Sequence, residues 1–312
     1  MTNSKKIFCL MGPTASGKTP LAVELVQHFP FEIVSVDSAM VYRGMDIGTA
    51  KPDSATLKMA PHRLINIVDP SEPYSAGQFR HDALREIKNI HAQEKIPLLV
   101  GGTMMYFRAL TQGLAHLPQA NAATRAELQL RAKQEGSEKL HAELSQVDPV
   151  AAAKIHANDA QRIQRALEVF RLTGKPISQL QSEATHPLSN YTVYYFALVP
   201  HDRAQLHARI AERFHQMLAQ GFIEEVKKLY ARGDLTPDLP SMRSVGYRQA
   251  WEYLAGKISD DEMCEQAIAA TRQLAKRQLT WLRSWPDIVW FDSDDKNLFQ
   301  TVSAWMEEKI KN

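Results

Sequence analysis

The sequence predicts an α/β fold, in which a parallel sheet with helices on its faces carries an all-helical insertion domain. Over about the first hundred residues, short apolar runs alternate with helical patterns, and this alternation is typical of a parallel sheet. The segment 118–188 is instead rich in Ala, Gln, Glu, Arg and Leu and contains no strand candidate. We therefore expect a core domain of 1–117 and 189–312, interrupted by a helical domain of 118–188.

The predicted core elements follow from apolar spacing. Helical spacing places Leu21, Leu25 and His28 on one face of a helix over 18–28, and a second helical pattern covers 76–93. A third helix is expected near 260–285, and an amphipathic pattern covers roughly the last twenty residues. Apolar runs of strand length predict strands at 6–11, 32–37, 64–68, 97–101, 191–199 and 288–292.

The clearest helix of the insertion is predicted over 160–173. Asp159 precedes it as an N-cap, and Gly174 follows as the residue just past its C-terminus. The apolar stripe of this helix consists of Ile163, Leu167 and Phe170. The opposite, polar face consists of Gln161, Arg162, Gln164 and Arg165.

Composition bounds the class of protein. The 312 residues are 44% hydrophobic and 23% charged, which is typical of a soluble globular protein. A net charge of only +2 means that any nucleic-acid site must gather its basic residues locally. Of the two cysteines, we interpret Cys9 as buried packing in an apolar strand. No signal-peptide pattern precedes the first strand and no apolar stretch approaches the ~20 residues of a membrane span, so we expect a cytoplasmic location.

A glycine-rich loop follows the first predicted strand and begins a helix. Its residues are Gly12, Pro13, Thr14, Ala15, Ser16, Gly17, Lys18 and Thr19. This is a complete Walker A motif, whose backbone amides surround phosphate oxygens at the positive end of a helix dipole. Lys18 reaches the terminal phosphate, and the Thr19 hydroxyl is placed to ligate a phosphate-bound Mg²⁺. The motif predicts a P-loop NTPase-like core that binds a pyrophosphate, with Mg²⁺ as the expected cofactor.

Two further strand ends fall at the same edge of the predicted sheet. Asp37 ends the second strand, and Gly101-Gly102-Thr103 follow the strand at 97–101. Ligands of open α/β sheets gather at the carboxyl ends of strands, where the Walker loop also lies. From the residues alone, Asp37 is equally well a magnesium ligand, a general base or a solvated carboxylate.

The predicted helix near 260–285 combines basic and aromatic residues. Its buried stripe is expected to be Ile268, Thr271, Ala275, Leu279 and Leu282. Arg272, Lys276 and Arg283 share a neighbouring face, and Trp281 and Trp285 are interleaved with them. This pattern suits a nucleic-acid backbone with bases nearby. On the residues alone, a solvated basic face with core tryptophans is the more frequent explanation.

The motifs together resemble the bacterial tRNA dimethylallyltransferase family, also described as tRNA isopentenyltransferases or IPP transferases. The resemblance runs from about residue 6 to residue 292, with the motifs in the same order. It departs from the family pattern at Asn66 and Ala160, where Asp and Pro are more usual. The matching segments are Gly12–Thr19, Asp37–Ala39, Met45–Pro52, Gly101–Thr103 with Tyr106, Gln161–Glu168, Arg243–Arg248 and Lys276–Arg283.

The resemblance implies transfer of a dimethylallyl group from dimethylallyl pyrophosphate to N6 of the adenosine just 3′ of a tRNA anticodon. The tRNAs concerned would be those that read codons beginning with U. Asp37 would be the general base, Lys18 would stabilise the departing pyrophosphate, and Thr103 would hydrogen-bond near the target base. Because that adenine is stacked in its loop, it must be flipped out, and the insertion would grip one side of the anticodon stem-loop.

The resemblance also implies a set of tRNA-contacting residues on both predicted domains. Those of the strand ends are Asp37, Ser38, Ala39, Met40 and Thr103. Those of the insertion are Arg125, Gln161, Arg162, Ile163, Gln164 and Arg165. The remaining ones are Arg243, Ser244, Val245, Gly246, Tyr247, Arg248, Lys276, Arg277, Gln278, Leu279, Thr280, Trp281, Leu282 and Arg283.

Several alternatives stay open at the level of sequence. Arg209 and Arg213, one helical turn apart, are candidates for the outer pyrophosphate oxygens, although surface ion pairing is the more frequent role of such residues. A P-loop small-molecule kinase is the second functional hypothesis, and a non-catalytic nucleotide-gated RNA-binding module is the third. We expect a monomer without a membrane partner.

Overall fold

The computed structural model describes residues 5–113, 115, 117–118, 121–182 and 186–311. Its strands form one parallel sheet in the order β3-β2-β4-β1-β5-β6 within these residues. The strand β1 lies near the middle of the sheet and pairs with β4 and β5. The strands are β1 (Lys5–Met11), β2 (Phe31–Val36), β3 (His62–Arg63), β4 (Ile96–Gly101), β5 (Tyr191–Val199) and β6 (Ile288–Asp292).

Helices cover both faces of the sheet. One face packs against α3, α4 and the C-terminal end of α13, and the other packs against α1 and α14. The core helices are α1 (Lys18–His28), α2 (Ser54–Met59), α3 (Ala76–Ala92), α4 (Met104–Thr111), α10 (Arg203–Ala219), α11 (Phe222–Tyr230), α12 (Tyr247–Leu254), α13 (Asp260–Arg283) and α14 (Leu298–Lys311). A run of five residues in β1, Ile7 to Met11, is fully buried, as expected of a strand covered on both faces. Cys9 lies in this run, which confirms its predicted packing role.

Most predicted elements are confirmed within one or two residues, and one strand is wrong. The pattern at 64–68 predicted a strand, but β3 is only His62–Arg63. Leu64 and Asn66 adopt left-handed backbone conformations, with φ of 62° and 55°, which end the extended segment. Val68 forms an isolated parallel bridge with Tyr42, which lies outside the strands of the sheet.

The chain divides into two compact units, Thr111–Pro187 and the remainder. The prediction of an inserted domain at 118–188 overlaps the smaller unit except at its ends. The described helices of the smaller unit are α5 (Ala122–Glu135), α6 (Ser137–Val147), α7 (Pro149–Ala152), α8 (Ala160–Thr173) and α9 (Ile177–Ser182). The helix α8 has the predicted bounds, and Gly174 ends it in a left-handed conformation. Its buried face includes the predicted Ile163 and Leu167 and also Ala166 and Val169, whereas the predicted Phe170 is only half-buried.

A buried carboxylate joins α8 to the start of α5 in the smaller unit. The side chain of Glu168 on α8 is fully buried. It accepts hydrogen bonds from the backbone amide of Asn121 (2.9 Å), from Arg125 Nε (3.0 Å) and from Arg165 Nη1 (2.7 Å). Arg165 also donates to the carbonyl oxygen of Pro118 (2.8 Å). These contacts offset the cost of removing the charge from water.

No helix in the described part of the chain combines the length and apolar character needed to cross a membrane.

Removing the Glu168 carboxylate should destabilise the protein. We expect Glu168→Ala to lower the free energy of unfolding by about 1–3 kcal/mol, because the Asn121 amide and the partly exposed Arg125 and Arg165 lose their shared partner. Glu127→Ala is the matched control, since Glu127 is exposed and pairs with Arg171 on the surface, and it should cost less than about 1 kcal/mol. Chemical denaturation measures both, and equal effects would contradict this assignment.

Candidate functional site

A pocket of about 720 Å³ opens at the carboxyl ends of β1, β2 and β4. The phosphate loop between β1 and α1 forms one wall, and the residues that follow β2 and β4 form the next. The helices α10 and α13, the segment 243–247 and the residues 48–50 also contribute to the lining. All of these residues belong to the larger unit. The position agrees with the rule that ligands of open α/β sheets bind at the carboxyl ends of strands.

The phosphate loop has the backbone of an anion cradle. Ala15 and Gly17 adopt left-handed conformations, with φ of 63° and 84°, which fold the loop around its centre. A side chain on Gly12 would lie 2.5 Å from the carbonyl oxygen of Leu198, so only glycine fits this turn. The Ser16 hydroxyl is buried without a hydrogen-bond partner among the described residues. The α1 N-terminus also lacks a side-chain cap, which leaves its first amides for a ligand.

Lys18 carries its ammonium group at the inner end of this loop. Its Nζ donates a hydrogen bond to the carbonyl oxygen of Pro13 (2.6 Å). Burial, as the largest cause, and the nearby cation Arg213 together lower the pKa of Lys18 to about 7, against the opposing effect of the negative charge of Asp37. An anion in the loop would restore the charged form of this side chain.

The ends of β2 and β4 are joined beside the loop. Oδ1 of Asp37 accepts hydrogen bonds from the backbone amides of Ala39 (2.8 Å) and Met40 (3.2 Å). Thr103 Oγ1 accepts from the backbone amide of Ser38 (3.1 Å). The structure therefore brings the predicted residues 37–40 and Thr103 into the same pocket as the phosphate loop.

The two arginines of α10 have different environments. Arg213 lines the pocket, and burial lowers its pKa while the charge of Asp37 raises it. Arg209 forms an ion pair with Asp294, donates to Ser293 Oγ (3.0 Å) and is not among the residues that line the pocket. Arg213 is thus placed for an anion in the pocket, whereas Arg209 has a structural partner.

Sequence reasoning missed Glu225, which holds another wall of the pocket. Its carboxylate accepts hydrogen bonds from the amides of Asp46 and Ile47 (both 2.8 Å) and from the Tyr247 hydroxyl (2.5 Å). A third amide, that of Gly48, donates to Oε1 (3.1 Å), the carboxylate oxygen that also accepts from Tyr247, whereas Asp46 and Ile47 donate to Oε2. A carboxylate on an amphipathic helix such as α11 is common, so no sequence pattern distinguishes Glu225.

The predicted tRNA contacts on the larger unit fall into three groups. Arg243, Ser244, Val245, Arg277 and Trp281 line the pocket. Arg248, Lys276, Thr280 and Arg283 are exposed and do not line it. The side chain of Leu282 is fully buried and is absent from the pocket lining, so the prediction that it contacts tRNA is corrected: it packs inside the protein. Tyr247 is fully buried as well, but it lines the pocket. Gly246 is buried beside Tyr247, and Leu279 is half-buried against the core.

The predicted contacts on the smaller unit also divide by exposure. Ile163 is fully buried in the core of that unit, so the expectation of a tRNA contact is wrong for its side chain. Arg125 and Arg165 are engaged by Glu168, and Gln164 Nε2 donates to the carbonyl oxygen of Arg125 (3.2 Å). Gln161 and Arg162 are exposed, and the Arg162 side chain is 69% accessible.

Comparison with known proteins agrees with this geometry. The family model for IPP transferase matches residues 40–285. The tRNA dimethylallyltransferase of Coxiella burnetii strain Dugway 5J108-111 is 56% identical over 307 residues, which cover 98% of this chain and 99% of the relative. The chain belongs to the IPP transferase family.

Solved structures of this family share the fold. The tRNA isopentenylpyrophosphate transferase of Bacillus halodurans is 37% identical with a TM-score of 0.71, and the match covers 99% of each chain. A eukaryotic dimethylallyltransferase described as acting on tRNA is 28% identical with a TM-score of 0.81. That match covers 99% of this chain and 80% of the other. The P-loop-like core predicted from the sequence is therefore confirmed as the fold of this IPP transferase family member.

The lowered pKa of Lys18 predicts a pH dependence of anion binding. Binding of inorganic pyrophosphate favours the ammonium form of Lys18. The affinity for pyrophosphate is therefore fully present below about pH 7 and falls by up to about tenfold for each pH unit above that value. Isothermal titration between about pH 7 and pH 9 measures this fall and the accompanying proton uptake.

Lys18→Arg is the control for this titration, because a guanidinium group stays charged over the same range. The titration of pyrophosphate itself is common to both proteins, so the difference between them isolates Lys18. Identical pH profiles for the two proteins would contradict the assignment.

Proposed function

We propose that this protein transfers the dimethylallyl group of dimethylallyl pyrophosphate to N6 of the adenosine 3′-adjacent to a tRNA anticodon, releasing pyrophosphate. The observation that carries the proposal is the pocket itself, where a phosphate loop and the strand-end carboxylate of Asp37 line one cavity. A prenyl transfer needs both, namely a holder for the leaving group and a proton acceptor for the attacking amine. The 56% identity to a tRNA dimethylallyltransferase supports the same reaction.

The leaving group would occupy the phosphate loop. The amides of the loop, the unpartnered Ser16 hydroxyl and the ammonium of Lys18 are donors for its oxygens. Arg213 adds a second cation within the electrostatic reach of Lys18. As the C1–O bond of the substrate breaks, negative charge grows on the pyrophosphate, and these donors stabilise it. No phosphoryl group is transferred in this scheme.

The attacking group would be the exocyclic amine of the adenine. The new bond joins N6 to C1 of the dimethylallyl group, and the proton lost by N6 passes to Asp37. Because two backbone amides bind Oδ1 of Asp37, the carboxylate has a fixed direction. Thr103, which is hydrogen-bonded to the amide of Ser38, would orient the base beside it.

The oxygen donors of the pocket fit a magnesium ion. The Thr19 hydroxyl lies in the first turn of α1 and lines the same pocket as the Asp37 carboxylate, and hard oxygen donors are what Mg²⁺ prefers. We propose that Thr19 would hold this ion together with pyrophosphate oxygens. When bound, Mg²⁺ neutralises part of the charge of the leaving group.

The tRNA substrate would be bound by the basic residues that the structure exposes. Arg243, Arg277 and Trp281 line the pocket, and they would contact the phosphates and the flipped base of the anticodon loop. Lys276 and Arg283 extend this basic surface along α13. On the smaller unit, Gln161 and Arg162 are the exposed candidates for a further backbone contact. We propose that the protein acts as a monomer.

The reaction class is tested by incubating the protein with either ATP or dimethylallyl pyrophosphate, each with and without tRNA. We expect a dimethylallyl adduct on the RNA, together with free pyrophosphate, only when dimethylallyl pyrophosphate and tRNA are both present. Phosphorylation of a small molecule with ATP would indicate a kinase. RNA binding without any turnover would indicate a nucleotide-gated binding module.

Asp37→Asn tests the general base. The amide retains an oxygen for the amides of Ala39 and Met40 but cannot accept the proton, so turnover should fall by roughly 10²–10⁴ with little change in tRNA affinity. Asp53→Asn is the matched control, because Asp53 caps the exposed start of α2 and Asn caps a helix equally well. A wild-type single-turnover rate in Asp37→Asn would contradict the assignment of Asp37 as the general base.

Arg162→Ala tests the grip of the smaller unit on RNA. We expect a higher KM for tRNA, and a salt dependence of binding reduced by about one unit for each lost phosphate contact, with turnover at saturating tRNA unchanged. Arg165 is unsuitable for this test because it stabilises Glu168.

Lys139→Ala removes the same charge from another exposed position of the smaller unit and should leave binding unchanged. A wild-type salt slope in Arg162→Ala would remove Arg162 from the interface.

A further inference from the structure

Among the described residues, the side chain of Gln278 on α13 is hydrogen-bonded to both the phosphate loop and the turn after β4. Its Oε1 accepts a hydrogen bond from the backbone amide of Thr14 (2.9 Å). Its Nε2 donates to the carbonyl oxygen of Gly102 (2.9 Å). Since Thr14 can only donate and Gly102 can only accept here, this orientation of the side-chain amide is the one that satisfies both.

The peptide group between Pro13 and Thr14 is hydrogen-bonded to both Gln278 and Lys18. The carbonyl oxygen of Pro13 accepts the hydrogen bond from Lys18 Nζ (2.6 Å), and the amide of Thr14 belongs to the same planar peptide. Fixing the N–H direction of this peptide therefore fixes its C=O direction. Through one rigid group, Gln278 determines where the Lys18 ammonium rests.

The close approach of Gln278 requires glycine at position 102. A Cβ on Gly102 would lie 2.4 Å from Gln278 Nε2 and 3.2 Å from the carbonyl oxygen of Gly12. The second glycine of the Gly101-Gly102 turn therefore makes room for this contact. Thr103 follows directly, so Gln278 also braces the turn that positions the Thr103 hydroxyl.

The neighbours of Gln278 on α13 are different. Lys276 and Arg277 are exposed, whereas Gln278 is half-buried and both of its polar atoms are bound by the protein. The sequence grouped all three as tRNA contacts, but the hydrogen bonds of Gln278 are made within the protein.

We propose that Gln278 is a positioning residue of the pyrophosphate site, which holds the Pro13–Thr14 peptide, and with it Lys18, against the turn that carries Thr103. The inference rests on the proposed function for the identity of the anion. The Thr14 amide donates its hydrogen bond to Gln278 and is therefore not a donor to phosphate. The pyrophosphate would instead be bound by the loop amides that follow Thr14.

The variant Gln278→Met keeps the length of the side chain and removes both hydrogen bonds. We expect the Kd of inorganic pyrophosphate, measured by isothermal titration without RNA, to rise about tenfold, the effect of two lost hydrogen bonds. The KM for dimethylallyl pyrophosphate should rise in parallel, whereas the KM for tRNA should stay within about twofold of the wild type. Gln273→Met, at an exposed position of the same helix, is the matched control and should leave all three constants unchanged.

A site-specific readout is available from the backbone amides of the loop. In wild-type protein labelled with ¹⁵N-threonine, Thr14 and Thr19 report on the two ends of the loop. Inorganic pyrophosphate should shift the Thr19 amide resonance strongly and the Thr14 amide resonance little, because the Thr14 N–H is already bound by Gln278. In Gln278→Met, the Thr14 resonance should move in the absence of any ligand.

Three results would overturn the inference. One is a wild-type pyrophosphate Kd in Gln278→Met, and another is a rise in the KM for tRNA alone, which would make Gln278 an RNA contact. The third is a Thr14 amide that shifts with pyrophosphate as strongly as Thr19. If the wild-type protein binds pyrophosphate but transfers no dimethylallyl group, the proposed function fails while these measurements still decide the role of Gln278.

Discussion

The charge balance of the pocket is the constraint on which the other features of the site depend. Lys18 and Arg213 are two cations that have lost much of their water, and each disfavours the charge of the other. Asp37 offsets part of this cost, and a pyrophosphate would offset the rest. The Ser16 hydroxyl, buried without a partner among the described residues, is unfavourable for the same reason until a ligand arrives. The pocket therefore gives up stability in the free protein so that an anion binds tightly, as functional sites commonly do.

Keeping these groups in place requires rigid connections between loops that are far apart in the sequence. Thr103 joins the ends of β4 and β2, Gln278 joins α13 to the phosphate loop, and Glu225 joins α11 to the loop at 46–48. Each connection binds backbone amides or carbonyls, so it fixes the course of the chain as well as a side chain. Catalysis by positioned charges needs this arrangement, because a displacement of about 1 Å is enough to lose much of the rate.

The parts predicted from sequence are those with a local cause. The phosphate loop was found because its glycines and Lys18 act within eight consecutive residues, and α8 because its caps and apolar spacing are contiguous. The strand at 64–68 was predicted wrongly because the pattern of apolar residues does not reveal the left-handed backbone of Leu64 and Asn66. The structural roles of Glu225, Gln278 and Glu168 could not be predicted, since each depends on a partner on another element: Ile47 for Glu225, Gly102 for Gln278 and Arg125 for Glu168. The motif resemblance likewise included Ile163, Tyr247 and Leu282, because similarity within a segment does not separate its exposed from its buried residues.

The central claim is that the phosphate loop holds a leaving group and not a phosphoryl donor. The most direct measurement uses dimethylallyl pyrophosphate labelled with tritium on the allylic C1 and with ³²P in the pyrophosphate, incubated with the protein and an anticodon stem-loop RNA. The account predicts tritium in the RNA and an equimolar amount of ³²P in free inorganic pyrophosphate. Recovery of ³²P in the RNA, or as monophosphate in proportion to turnover, would contradict it.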